Sequence, residues 1–218
     1  EGDNATISNT VLNNNNATGA TGSEDSHGGS LVVYGTNTHI TNTTVANSTS
    51  INGGGVYIEG NNTVITDSTI YNNNATVNGG GVYIYGDNTT ITKSTFELNN
   101  AIPDKDAMDD GLGGAIDWVA SSGHIIDSNF TSNCADSGGG VYFGGRSEES
   151  IITSCIFTDN HAKYNGGAID CNASKMYLME EDPTKANMGF ATSQREDNDG
   201  GGSLYVDYRL ASVFARAS

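Results

Sequence analysis

A repeat of about 26 residues runs through most of this chain and restricts its fold more than any other feature. Six copies are recognisable, and the clearest spans residues 61–86. Each copy has two apolar columns five residues apart and a polar, mostly Asn column three residues later. In that order the columns are Ile7, Ile40, Ile65, Ile91, Ile125 and Ile152; Leu12, Val45, Ile70, Phe96, Phe130 and Phe157; and Asn15, Ser48, Asn73, Asn99, Asn133 and Asn160. Equivalent residues at a fixed interval indicate stacked units of a solenoid.

Alternating apolar and polar residues within each copy predict three short strands separated by turns. In the third copy residues 64–66 and 68–70 alternate, and Asp67 occupies the turn between them. Strands this short cannot bury a face alone, but stacking gives each one a parallel neighbour about 4.8 Å away. We therefore predict an all-β parallel β-helix of about six coils over residues 1–171, followed by a non-repeat segment.

Three further features predict how the coils turn and stack. A Gly-Gly pair precedes a strand in every copy, and it supplies a positive φ or room for close backbone approach. These pairs are assigned to residues 28–29, 54–55, 80–81, 113–114, 139–140 and 166–167. A column of small residues is expected to face inward: Thr10, Thr43, Ser68, Ser94, Ser128 and Cys155. A hydrogen-bonded ladder along the stack is expected from Asn15, Asn73, Asn99, Asn133 and Asn160.

The charge balance excludes some classes of partner. The chain has 26 Asp and Glu against 9 Lys and Arg, a formal net charge of −17, which disfavours nucleic acid and anionic membranes. Apolar runs such as residues 31–34 are far shorter than the roughly 20 residues of a spanning helix, so we expect no membrane insertion. The sequence begins without Met or an apolar signal core, and we expect a processed chain or a piece of a longer one. Three Cys allow at most one internal disulfide.

The repeats resemble those of a known group of proteins. GGGVYI, GGAIDW, NTTITKSTFELNNA and GGAIDC are similar to the repeats of right-handed parallel β-helix surface proteins. Adhesin-like proteins of archaea and polymorphic outer-membrane proteins of bacteria are the most similar, since their repeats carry GG(A/V)I and FxxN motifs. The FxxN equivalents here start at Phe96, Phe130 and Phe157. The resemblance covers residues 3–171 and implies a right-handed coil and an extracellular or cell-surface location.

The sequence after Cys171 has no recognisable repeat, so residues 172–218 are predicted to form a cap or an assembly segment. Its last part, residues 204–218, is compatible with an edge strand or with an amphipathic helix. Open β-helix ends expose unpaired strand edges, which favours a cap. The alternative is head-to-tail pairing of this tail with the N-terminal half-coil of another copy, which would build an open filament.

Two insertions interrupt the period at the same loop, before the Gly-Gly pair. The first contains Glu24 and Asp25, and the second contains Asp104, Asp106, Asp109 and Asp110. Insertions on one edge of a solenoid often mark its binding edge, so these six residues are candidates for ligand contact. The four aspartates offer oxygens suited to Ca²⁺ but lack EF-hand spacing. A solvated acidic loop is the simpler interpretation.

Two other functional classes remain open at this level. A carbohydrate-active enzyme, hydrolase or lyase, is the main alternative, because parallel β-helices also host such activities. Asp117 and Asp170 share a column that is expected to face outward, but they are two coils apart, which is too far for a close pair of carboxyl groups. The basic residues that a lyase would need are scattered. Ice binding ranks lower, because the outward positions beside the Ile column carry no regular Thr lattice.

The tyrosine and sequon positions add further expectations. Tyr57, Tyr83 and Tyr142 are assigned to one column with Leu31, Ile116 and Ile169, and this column is expected to lie in the core. The chain contains nine N-x-S/T sequons, of which Asn42, Asn61 and Asn88 are predicted to lie at turns and to accept glycans.

Together these features favour an extracellular, non-catalytic adhesin or structural β-helix. Surface glycans or another copy of the chain are the expected partners, and neither nucleic acid nor a membrane is. No cofactor is indicated apart from the candidate Ca²⁺.

Overall fold

The computed structural model describes residues 2–19, 26–103, 110–144, 147, 149–172, 175–179, 189–191, 194–195, 204–206 and 212–216. These residues form strands and turns, with no helix among them. In chain order the strands are β1 (Thr6–Ser8), β2 (Val11–Asn13), β3 (Leu31–Val33), β4 (His39–Thr41), β5 (Thr44–Ala46), β6 (Thr49–Asn52), β7 (Val56–Ile58), β8 (Val64–Thr66), β9 (Thr69–Tyr71), β10 (Asn74–Asn78), β11 (Val82–Ile84), β12 (Thr90–Thr92), β13 (Thr95–Glu97), β14 (Asn100–Ala101), β15 (Ile116–Trp118), β16 (His124–Ile126), β17 (Asn129–Thr131), β18 (Cys134–Ser137), β19 (Val141–Phe143), β20 (Ser150–Thr153), β21 (Ile156–Thr158), β22 (His161–Asn165), β23 (Ile169–Cys171), β24 (Lys175–Met179), β25 (Gly189–Ala191), β26 (Gln194–Arg195), β27 (Leu204–Val206) and β28 (Ser212–Arg216).

The described strands form four parallel sheets, numbered here by their order within a complete coil. Sheet 1 contains β1, β4, β8, β12, β16, β20, β24 and β28, and sheet 2 contains β2, β5, β9, β13, β17, β21 and β25. Sheet 3 contains β6, β10, β14, β18, β22 and β26, and sheet 4 contains β3, β7, β11, β15, β19, β23 and β27. Every strand pairing among the described residues is parallel, which confirms the all-β parallel β-helix.

Each complete coil has four strands, so the expectation of three was wrong. The additional strand follows the Asn column, as in β10, and has the sequence NATVN. The two Asn residues in this run suggest a turn rather than a strand. Stacking overrides this local preference, because the adjacent coils supply the backbone partners that an isolated segment lacks.

The apolar columns occupy the interior in the predicted register. Ile40, Ile65 and Ile91 pair from strand to strand in sheet 1 and are 0–1% exposed. In sheet 2 the rings of Phe96 and Phe130 stack with centroids 4.9 Å apart, and those of Phe130 and Phe157 with centroids 4.6 Å apart. Parallel in-register stacking therefore lines up identical side chains along the helix axis.

The last described strands extend the four sheets beyond Cys171. β24 pairs with β20, β25 with β21, β26 with β22 and β27 with β23, and β28 adds to β24. Of the two conformations left open for the tail, the described parts at 204–206 and 212–216 are strands. A cap or assembly role for residues 172–218 stays a prediction.

The corner before sheet 4 depends on glycine in two ways. A positive φ occurs at Gly28, Gly53, Gly79, Gly113, Gly138 and Gly166. The second Gly of the pair packs against the next coil: a Cβ on Gly80 would lie 2.3 Å from the carbonyl oxygen of Gly114. The predicted pairs were one residue too late in the three copies that contain three consecutive glycines, where the pairs are 53–54, 79–80 and 138–139.

Candidate binding groove between sheets 3 and 4

A column of tyrosine and aspartate faces outward from sheet 4. Its members pair from strand to strand in the order Val32, Tyr57, Tyr83, Asp117, Tyr142 and Asp170. The residues on either side of this column, such as Val56 and Ile58, are fully buried in the interior. Since successive side chains of a strand point to opposite faces, the column lies outside the core.

The expectation that the tyrosines belong to the core was therefore wrong, whereas the outward position of Asp117 and Asp170 agrees with the structure. The error came from the Gly-Gly pairs. Counting from pairs placed one residue late moved Tyr57, Tyr83 and Tyr142 into register with Ile116 instead of Asp117. In a strand, a shift of one residue exchanges the two faces.

The outer surfaces of sheets 3 and 4 meet at a concave corner. His27 pairs with Asn52 at the end of sheet 3, and its ring stacks on Tyr57 of sheet 4 with centroids 4.3 Å apart. Outward side chains of two sheets can touch only if their outer faces are turned towards each other. The concavity also explains why Tyr57 is only 8% exposed, Asp117 1% and Asp170 3%. We call this the corner groove, formed by His27, Asn52, Tyr57, Asn78, Tyr83, Asp117, Tyr142 and Asp170.

Several polar atoms along the corner groove are buried but make no hydrogen bond within the described part of the chain. They are His27 Nδ1, Asn52 Oδ1, Asn78 Oδ1, Asp117 Oδ1 and Asn172 Oδ1. Asn172 lies beside the groove, where its Nδ2 donates to the Tyr142 hydroxyl at 3.3 Å. Buried polar atoms are normally satisfied, so this concentration distinguishes the corner from the rest of the fold.

Burial governs the ionisation of the groove residues. It raises the pKa of Asp117 well above 3.8. Burial is also the main reason that the pKa of Tyr142 is raised; Asp170 and Asp117 act in the same direction, while the hydrogen bond from Asn172 opposes them. The pKa of Tyr57 is raised by burial and, secondarily, by Glu59. None of the eight residues that define the groove is Lys or Arg.

His27, Asn52 and Asn78 were not predicted from the sequence as site residues. A usable signal existed, because each of the three directly precedes the positive-φ glycine of its corner. Their position beside the tyrosines depends on the angle between sheets 3 and 4. The pattern of one strand carries no information about that angle.

Most of the predicted loop residues lie outside the described residues, namely Glu24, Asp25, Asp104, Asp106 and Asp109. Asp110 is described and exposed. Leu112, two residues after Asp110, forms a parallel β-bridge with Asn78 of the groove. The second insertion therefore ends at the edge of the groove. Within the described residues no three His, Cys, Asp or Glu side chains are grouped to hold a metal ion. The Ca²⁺ site stays a prediction.

The Asn ladder is present in the interior between sheets 2 and 3. Asn73 Nδ2 donates to Asn99 Oδ1 at 3.0 Å, Asn99 to Asn133 at 3.0 Å and Asn133 to Asn160 at 2.9 Å. Asn15 instead donates to Ser30 Oγ, which lies 2.7 Å from Ser48 Oγ. The small column is also inward: Ser68, Ser94 and Ser128 are each at most 2% exposed.

The sequon residues and cysteines are also placed. Asn42, Asn61 and Asn88 are exposed at turns, as predicted, and glycosylation of them stays a prediction. Cys155 lies in the small inward column and is fully buried. Cys134, Cys155 and Cys171 are all described, and none of them forms a disulfide. No helix among the described residues has the length and apolar character needed to cross a membrane.

Comparison with known families assigns the fold. Residues 1–199 match the model of one family, a right-handed β-helix region. The chain belongs to the right-handed β-helix family. Membership in this family agrees with the right-handed coiling expected from the sequence. The matched region also extends past Cys171 to residue 199. The family includes both surface proteins and carbohydrate-active enzymes, so it does not by itself select an activity. A comparison with curated proteins finds no match.

Proposed function

We propose that this right-handed β-helix is an extracellular, adhesin-like surface protein that binds glycans in the corner groove without catalysing their cleavage. The observation that carries the proposal is Asp117, a carboxyl group buried within a column of tyrosines. Burial of a carboxyl group without a compensating partner is unfavourable. The fold does not require it, because Val and Tyr occupy the same column in neighbouring coils. The buried carboxyl group of Asp117 lowers stability and is not needed by the scaffold, so its presence favours a functional role.

The composition of the groove suits a sugar chain. Tyrosine offers an apolar ring edge and a hydroxyl group on one rigid side chain, which fits ligands with alternating apolar and polar surface. Asp117 and Asp170 add acceptors for hydroxyl groups. A rigid groove parallel to the helix axis requires little rearrangement on binding, so less ordering entropy is lost.

Glycan-array binding with purified protein tests the proposal. Replacement of Tyr83 or Tyr142 by Ala is expected to reduce retention of the bound glycan. The matched control is Tyr71→Ala, because Tyr71 is half-buried on the outer face of sheet 2, away from the groove. Equal retention by the groove variants and the control, or no retention of any glycan by the parent protein, contradicts the proposal.

A hydrolase is the second candidate, and the presence of two carboxyl groups in one column of the groove favours it. Asp117 and Asp170 both pair with Tyr142, so their strands are two spacings apart, about 9.6 Å. Inverting glycosidases separate their acid and base by roughly 6.5–9.5 Å, and the raised pKa of Asp117 suits a general acid. Release of reducing ends from a bound glycan, lost in both Asp117→Asn and Asp170→Asn, would support hydrolysis. Retention of intact glycan supports binding alone.

Another copy of the chain is the second proposed partner. The outermost described strands at the N-terminal end, β1 and β2, carry partly exposed apolar residues such as Ile7 and Leu12. A strand from a neighbouring tail would continue their sheets. This head-to-tail contact is independent of the corner groove.

A further inference from the structure

We propose that Asn129 is a modification site, which carries an N-linked glycan on the outer face of sheet 2. The inference rests on the extracellular location proposed above and does not depend on ligand binding in the corner groove. Three observations carry it: the orientation of the sequon, the state of its side-chain amide, and an exposed apolar neighbour.

The sequon at residues 129–131 is presented to solvent by a strand. Asn129 and Thr131 flank Phe130 on β17, and Phe130 is fully buried. Since alternate side chains of a strand share a face, the Asn129 amide and the Thr131 hydroxyl both lie on the outer face. Asn129 is exposed and Thr131 is half-buried. The two side chains that define the sequon therefore lie on one accessible surface.

The side-chain amide of Asn129 is not used by the fold, since it makes no hydrogen bond within the described residues. Two of the three sequon residues predicted from the sequence differ, because they belong to ladders at the turns. Asn42 Nδ2 donates to Asn9 Oδ1 at 2.7 Å. Asn88 Nδ2 donates to Asn62 Oδ1, also at 2.7 Å. Ladder members are one coil apart, about 4.8 Å, so a sugar on either nitrogen would crowd its neighbours, whereas a sugar on Asn129 costs no hydrogen bond of the protein.

The adjacent coil supplies an apolar surface for the first sugar. Ile156 pairs directly with Asn129 on the neighbouring strand and is 42% exposed. Thr95 pairs with Asn129 on the other side and is half-buried. A sugar attached to Asn129 is able to cover the Ile156 side chain while its hydroxyl groups stay hydrated. This contact removes apolar area from water and stabilises the modified protein.

The reaction needs one co-substrate, an oligosaccharide linked to a lipid diphosphate, which a membrane-bound transferase supplies in a secretory pathway. Asn129 Nδ2 attacks the anomeric carbon of the first sugar, and a C–N bond forms. The bond between that carbon and the diphosphate oxygen breaks, and the lipid diphosphate leaves with the bonding electron pair. Nδ2 loses one proton to the transferase, and no oxidant or reductant takes part.

A glycan at Asn129 would lie apart from the surfaces proposed to bind partners. β17 is paired on both sides, with β13 and β21, so it is not an edge strand. The corner groove is formed by sheets 3 and 4, whereas β17 belongs to sheet 2. The glycan would therefore add a bulky, solvated cover to one face and leave the groove and the ends of the β-helix accessible.

Expression of the full chain through a eukaryotic secretory pathway tests the inference. Intact mass before and after enzymatic removal of glycans, followed by peptide mapping, identifies the modified residues. Asn129 is expected to be modified in the folded, secreted protein. Thr131→Ala is expected to abolish this modification, because it removes the sequon hydroxyl and leaves Asn129 in place.

The matched control is Thr90→Ala, which removes the sequon of Asn88 by the same change on the outer face of β12. It is expected to leave the glycan content of the secreted protein unchanged, and circular dichroism checks that both variants fold. An unmodified Asn129 in the secreted parent protein overturns the inference and leaves binding in the corner groove unaffected. Equal modification of Asn88 and Asn129 overturns the role given to the unused amide. Modification of Asn129 without retention of any glycan on the array supports the inference and contradicts the groove proposal.

Discussion

At the scale of single residues, the inward asparagines combine several hydrogen bonds in each coil. Asn133 accepts from the Asn99 backbone N–H at 3.0 Å, donates to the Phe96 carbonyl at 3.0 Å and continues the ladder to Asn160. The backbone N–H and C=O groups at this turn are buried and cannot bond to water. The Asn133 side chain supplies the hydrogen bonds that these groups would otherwise lack. An amide side chain suits this position because it both donates and accepts.

Replacement of Asn133 by Ala is therefore expected to lower the free energy of unfolding by about 2–4 kcal/mol, because it leaves several buried groups without partners. Denaturant unfolding measures the change. Asn129→Ala in the same coil is the control: Asn129 is exposed on β17, and its loss is expected to change stability by less than about 0.5 kcal/mol. Similar effects of the two substitutions would contradict the structural role of the ladder.

Asp117 makes stability depend on pH in a defined direction. Its pKa in the folded protein is raised above 3.8, so the unfolded chain loses this proton at lower pH than the folded chain does. The contribution of Asp117 to the free energy of unfolding is fully present below the unfolded-state pKa of 3.8 and is lost as the pH rises towards the folded-state pKa. Asp117→Asn removes the titrating group. The melting temperature of the Asp117→Asn variant minus that of the parent protein is expected to increase between about pH 4 and about pH 8. A difference that is constant or shrinks over this range would contradict the effect of burial.

At the scale of secondary-structure elements, the corner between sheets 3 and 4 depends on contact between backbones of successive coils. A Cβ on Gly80 would approach the carbonyl oxygens of Gly114 and Asn100 to 2.3 and 2.4 Å. Atoms at such distances must move apart, and movement of one coil disturbs its pairing with the next. The glycine pair is therefore a condition for stacking, as well as a way to turn the chain.

We expect Gly80→Ala to destabilise the protein by more than about 3 kcal/mol, since the backbone around it cannot yield without loss of strand pairing. Thermal unfolding followed by circular dichroism measures the loss. Gly2→Ala provides the control, because no atom lies within 4 Å of a Cβ at that position. A Gly80 variant with the parent melting temperature would show that the coils can separate locally at little cost.

Two kinds of side-chain stack follow from the same parallel register. Phe96, Phe130 and Phe157 form the interior stack, whereas Tyr57 and Tyr83 form the stack in the groove. The interior stack supports the core. The column continues from Tyr83 to Asp117 in the same parallel register, so the residue type changes along a repeated surface at the candidate site.

At the scale of the whole molecule, the ends of the β-helix differ from its middle. Val11 on β2 is 71% exposed, and a cavity of about 220 Å³ at the first coil is lined by Ile7, Leu31 and Val33, among others. At the other end, β28 adds to β24 and β27 adds to β23. Strand edges of this type are able to pair with another chain.

End-to-end association is therefore expected at high protein concentration and should reverse on dilution. Light scattering over a concentration series measures it. Val11→Lys places a charge on the exposed edge and is expected to weaken association without loss of the fold, because Val11 contributes little to the core. Monomeric particles at every concentration would exclude the filament and leave the groove proposals unaffected.

The sequence by itself determined the coil register, the inward columns and the Asn ladder. These properties repeat with the period, and a residue type that recurs at one position in every coil shows the environment of that position. Cys155 illustrates this, since its small-residue column alone indicated that it would be buried. The sequence is a weaker guide to the face of the sheet on which a column lies. A glycine pair placed one residue too late assigns the following strand residues to the opposite face, as occurred for Tyr57, Tyr83 and Tyr142.

Only the tertiary structure decided the existence of the corner groove and the continuation of the sheets into the tail. His27 reaches Tyr57 because sheets 3 and 4 meet at a concave angle, and that angle is set by packing of the whole coil. The tail strands lack the repeat pattern, yet they pair because β20 to β23 offer ready backbone partners. Burial of Asp117 likewise depends on neighbours in other coils, which are distant in sequence and close only after stacking.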